Sequence, residues 1–111
     1  MEVIEVIKEI IEKRREAVKN AEKYLKEISS RAKNILKDAK VYVFGSYVKG
    51  NFHPFLSDID VLIVSKEIND KNRAKIALEI EKDLPRIFEI HLVNEKEFEF
   101  YKFFIDKTVE I

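Results

Sequence analysis

The sequence predicts an α/β domain: a small mixed sheet of about three strands, preceded by a long helix and flanked by others. Three observations carry this reading. Residues 3–37 contain neither Gly nor Pro and repeat apolar side chains at helical spacing. Three later runs, VYVFGS, DIDVLIVS and RIFEIHLV, are rich in β-branched and aromatic residues. Segments of helical period follow the second and third of these runs, the pattern of a sheet covered by helices. At 111 residues there is room for one core. Residues 1–111 are therefore read as a single domain, with a helical segment over 1–38 and the sheet core and C-terminal helix over 39–111.

In chain order, Val3, Ile7 and Ile10 open an apolar stripe that Val18, Ala21, Leu25, Ile28, Ala32 and Ile35 continue. Residues 12–16, EKRRE, form a turn of it with no apolar side chain, and Ser29-Ser30 is the expected weak point. One long helix or two nearly continuous ones are expected. The early apolar cluster is expected to lie on the domain's own sheet; the alternative is a face for a partner. A strand over 41–46 is stopped by Gly45, and Tyr47–Ser57 is a connection with His53-Pro54 in its turn. Asp58–Ser65 is a second strand, apolar on both sides and so central. A helix is expected over Asn69–Asp83 and a third strand over Arg86–Val93. A last helix is expected over Glu95–Asp106, with Asn94 as N-cap and Glu97 at the capping-box position. Its aromatics Tyr101, Phe103 and Phe104 read as core, with base stacking as the alternative.

Composition narrows the function classes. Basic and acidic residues balance at 21 each, which argues against a protein that grips nucleic acid by phosphate neutralisation. No apolar run is long enough for a membrane span, and the acid-bearing opening MEVIEVIKEI is unlike a secretion signal. Cysteine is absent, so thiolate metal sites and disulfides are excluded and a reducing, cytoplasmic setting is expected. The 38% of charged residues, mostly Lys and Glu, resembles a thermophile's surface.

The chemistry concentrates in two places. Asp58 and Asp60 fall on one side of the second strand by alternation, roughly 6–7 Å apart. Like charges so placed and partly buried conflict, and a divalent cation such as Mg²⁺ relieves the conflict. The bland alternative has Asp58 closing the loop and Asp60 facing solvent. Gly45-Ser46, at the end of the preceding strand, allows close approach of a phosphate to the backbone and a hydroxyl. Lys49 stands near enough in sequence to meet that phosphate.

Together these residues form FGSYVKGNFHPFLSDIDVLIV, which resembles the signature of the DNA polymerase β-like nucleotidyltransferase superfamily in its minimal group. Gly45, Ser46, Gly50, Ser57, Asp58 and Asp60 match it. The likeness is close over 41–65, and element order extends it to about residue 93. The resemblance implies that Asp58 and Asp60 bind Mg²⁺, that Gly45 and Ser46 hold the β- and γ-phosphates, and that a nucleoside monophosphate passes to an acceptor hydroxyl as pyrophosphate leaves. Members of the group usually carry a third carboxylate on the next strand. Here His91 stands in that place, with Glu89 on the same face two residues earlier, so either completes the site or neither does.

The function expected is transfer of a nucleoside monophosphate, AMP from ATP, to a hydroxyl of a protein or small molecule. Minimal domains of this kind resemble antitoxins that pair with a small helical toxin protein and adenylylate it. The alternative is a catalytically weak module that binds nucleotide or acts by complex formation. A homo-oligomer is left open.

Overall fold

A computed structural model describes residues 2–111. The elements are α1 (Val3–Lys19), α2 (Ala21–Ile35), β1 (Lys40–Phe44), α3 (Ser46–Lys49), β2 (Ile59–Val64), α4 (Arg73–Glu81), β3 (Phe88–Val93), α5 (Glu95–Tyr101) and β4 (Thr108–Glu110). The sheet order is β3-β2-β1-β4. β1 runs antiparallel to β2 and β4, while β2 and β3 are parallel and joined through α4. The small mixed sheet and its helices are as expected, and β4 extends them. With three residues and one apolar side chain, β4 carries too short a pattern to be read from sequence.

Alternation along the central strands divides the core in two. Ile59, Val61 and Ile63 of β2 point to a layer with Leu25, Ile28 and Ala32 of α2 and Ile76 and Ile80 of α4. Leu62 and Val64 point the other way, onto Val93, Phe98, Tyr101 and Ile105. Asp60 belongs to this second side by the same period.

The long helix breaks at Asn20, not at Ser29-Ser30. α2 passes through both serines because Leu25, Ile28 and Ala32 anchor it on either side, outweighing the small propensity loss at serine. At Asn20 the side-chain amide donates to the Glu16 carbonyl, a bond that competes with continuing the helix.

Two expectations about burial are corrected. The early apolar cluster does not lie on the sheet: Val3 is 73% exposed and Ile10 60%, with Ile4 and Ile7 also open. The apolar period is interrupted over residues 12–16, and the domain beneath α1 ends near Arg14 and Ala17. At the other end, α5 stops at Tyr101 and a turn follows, so Phe103 and Phe104 are exposed while Tyr101 and Ile105 pack. Helical period places Phe104 on the face of Phe98 and Tyr101, and the early helix end removes that period.

α5 begins as expected. Asn94 accepts from the Glu97 amide and Glu97 accepts from the Asn94 amide, completing the capping box. Arg73 of α4 binds both Glu97 oxygens at 3.0 Å and the Leu92 carbonyl, tying α4, β3 and α5 together. That guanidinium, followed by the Asn94 amide, holds the Glu97 carboxyl below its ordinary range.

Candidate active site

β2 begins at Ile59, so Asp60 is its second residue and Asp58 lies just before it. Parallel pairing sets Asp60 opposite Glu89 and Leu62 opposite His91. In this register Asp60, Glu89 and His91 share the face turned away from α2 and α4. His91 Nε2 lies 3.6 Å from Asp60 Oδ1 and 3.8 Å from Glu89 Oε1. One donor atom from each of the three falls within 4.8 Å of the others.

This cluster is partly dry. His91 is flanked by Phe44 and Tyr101, with ring centroids at 5.4 and 6.0 Å. Its Nε2 is buried and has no hydrogen-bond partner among the described residues. Nδ1 lies 3.5 Å from the Tyr101 hydroxyl. Burial pushes the Asp60 carboxyl above its ordinary range, and the negative charge of Glu89 pushes the same way; His91 opposes them.

Gly45 stands against Asp60. Its φ of +78° and ψ of −156° leave β1 and enter the one-turn α3, a backbone shape that side chains disfavour. A Cβ there would overlap Asp60 Oδ2 and lie 3.2 Å from Cγ. Glycine is required for both reasons. Ser46, half-buried, opens α3 immediately beyond.

Other candidates from the sequence lie elsewhere. Asp58 does not join the cluster: its carboxylate is exposed and 3.2 Å from Arg14 Nη2. It lines a cavity with Leu78, Arg86, Phe88 and Ile90, which places it toward the opposite side of the sheet from Glu89 and His91. Lys49 is exposed and pairs with Asp106 at 3.3 Å. His53 serves its turn, its Nδ1 accepting from the Phe55 amide. Beside His91, a cavity of about 480 Å³, bounded by Arg73, Ala77, Leu92 and Tyr101, opens at the β3 edge.

Arg14 was not singled out by motif. Its guanidinium donates to the carbonyls of Pro54 (2.8 Å), Ser57 and Arg86, and reaches Asp58. A signal existed. Arg14 shares a helix face with Ala17, Ala21 and Leu25, which the apolar stripe turns toward the domain.

Residues 4–111 match the family model described as a nucleotidyltransferase domain. The chain belongs to the polymerase β-like nucleotidyltransferase family. A crystal structure of a provisionally assigned nucleotidyltransferase shares 40% identity with it, covering 78% of this chain and 95% of that one, with a TM-score of 0.64. A second such crystal structure, from Sulfolobus solfataricus, is 23% identical over 85% of this chain and 84% of that one, with a TM-score of 0.58; it shows the likeness of fold alone. No curated protein matches the chain. The family's general chemistry, nucleotidyl transfer with a divalent metal, fits a domain that turns carboxylates and an orphaned imidazole to one face. Among the described residues, no helix is long and apolar enough to cross a membrane.

Proposed function

We propose that this domain transfers a nucleoside monophosphate, AMP from ATP, to a hydroxyl of a protein partner or a small molecule. The observation that carries the reading is the Asp60–Glu89–His91 cluster directly beside Gly45. Two carboxylates in conflict and a buried nitrogen without a partner suit a divalent cation better than they suit each other. Asp60, Glu89 and His91 would hold such a cation, which would supply neutralisation of the triphosphate charge. Gly45 and Ser46 receive the phosphates, the glycine giving the backbone close access. The acceptor oxygen bonds to the α-phosphorus, the bond to the β-phosphate bridge breaks, and pyrophosphate leaves. The hydroxyl proton passes to the Glu89 carboxylate and on to water.

Asp58 takes part after its half-exposed carboxylate leaves Arg14, which keeps its carbonyl partners, and Lys49 after it leaves Asp106, an exposed pair of the weakly held kind. The exposed stripe on α1 supports a protein partner in trans, of the small helical, toxin-like sort. Incubation with labelled ATP, a divalent cation and that partner should label the acceptor, and Asp60→Ala should abolish labelling. Undiminished labelling by Asp60→Ala would exclude the assignment.

A second reading is a nucleotide-binding module with little turnover, and the Arg14–Asp58 contact favours it. ATP binding without pyrophosphate release, unchanged by Arg14→Ala, would establish that reading over the first.

A further inference from the structure

The donor atoms gathered on the sheet face are two carboxylates and one imidazole nitrogen. We infer that this site prefers a transition-series divalent cation, represented by Mn²⁺, over Mg²⁺, and that His91 sets the preference. The inference rests on the reading of this cluster as the domain's cation site, and concerns which ion it selects. Mg²⁺ takes oxygen ligands and sheds its waters reluctantly, whereas Mn²⁺ takes the same carboxylates and accepts an imidazole nitrogen more readily.

Three features make His91 a ligand and not a bystander. Its Nε2 is buried without a hydrogen-bond partner among the described residues. Both carboxylates lie beyond hydrogen-bond reach of that nitrogen, at 3.6 and 3.8 Å. Donors about 2.1 Å from a common ion stand roughly 3–4.2 Å apart, so these spacings fit a shared ion where they do not fit a direct bond. Finally, the Tyr101 hydroxyl lies 3.5 Å from Nδ1. With the ring proton on Nδ1 and directed to the phenol oxygen, Nε2 keeps a lone pair for the ion.

The test uses the metal-free 111-residue chain and two probes, Mn²⁺ followed by electron paramagnetic resonance and Mg²⁺ by competition. Mn²⁺ should bind more tightly than Mg²⁺ by on the order of tenfold or more, and pulsed spectra should show nitrogen hyperfine coupling. His91→Asp should remove the coupling and bring the two affinities together. Tyr101→Phe, which keeps the ring packing, should retain the coupling but weaken Mn²⁺ binding by on the order of tenfold. Equal affinities in the wild type, or tight Mn²⁺ binding without nitrogen coupling, would overturn the inference. Nucleotidyl transfer measured in parallel separates the two claims. Transfer with Mg²⁺-selective binding removes only the metal preference. Nitrogen-coupled Mn²⁺ binding without transfer removes only the catalytic reading.

Discussion

Arg14 of α1 and Asp58, at the mouth of β2, are joined by an ion pair of 3.2 Å across 44 residues of sequence. The same guanidinium binds the carbonyls of Pro54, Ser57 and Arg86, so one side chain fastens the loop before β2 and the lead-in to β3. It is only 18% exposed, and its bonds are charge-assisted. Arg14→Ala should therefore cost about 2 kcal/mol in urea unfolding and speed amide exchange over residues 55–58. Arg14→Lys should recover less than half, since an ammonium lacks the planar fork. Unchanged exchange would show that the loop holds itself.

Asp60 should make the metal-free protein less stable as pH rises. Its folded carboxyl titrates above the ordinary value, so the folded protein holds a proton over an interval where the unfolded chain has released it. Stability falls through that interval and stays lower above it. Asp60→Asn should thus melt higher than the wild type at neutral pH, with the difference vanishing below the ordinary carboxylate range. Added divalent cation should cancel the gain. Melting curves from acid to neutral pH check both signs.

Gly45→Ala meets two obstacles at once, a positive φ and the Asp60 carboxylate. A loss of about 2 kcal/mol is expected from backbone strain alone. Displacement of Asp60 should weaken cation binding as well, which titration of the folded variant would read separately.

The exposed half of α1 should be indifferent to polarity in the isolated chain. Ile7→Ser and Ile10→Ser should each change stability by less than about 0.5 kcal/mol. Ile28→Ala, at a fully buried position on α2, should cost about 2–5 kcal/mol. Denaturant midpoints of the three variants make the comparison. A large loss at Ile7 would mean that the stripe is covered in solution.

Asn94→Ala removes one half of the capping box and should cost about 1 kcal/mol. Loss of the cap also frees Glu97, so the Arg73 link to β3 should loosen. Thermal melts together with exchange at the α5 amides would show both effects.

Period and composition were enough for the elements that pack on both sides. The apolar run of β2, the stripe of α2 and the Asn94–Glu97 cap are local patterns, and each appears where expected. The motif from Gly45 to Asp60 was legible because a backbone shape and a carboxylate must coincide there. Element ends were less so. Glu95–Asp106 lost its last turn to a bend after Tyr101, and the four-residue α3 lay hidden in a stretch read as loop. Alternation sets Asp58 beside Asp60 only where the strand reaches it, and β2 starts at Ile59, leaving Asp58 to meet Arg14.

The sequence by itself determined that Asp60 sits on a buried strand beside Gly45, because side-chain period and glycine's conformational freedom are local properties. Only the tertiary structure decided which groups surround it. Strand register brought Glu89 and His91 to Asp60, and a helix far away in sequence took Asp58 instead. Partners of this kind depend on how whole elements dock, and no neighbouring residue in the chain records that.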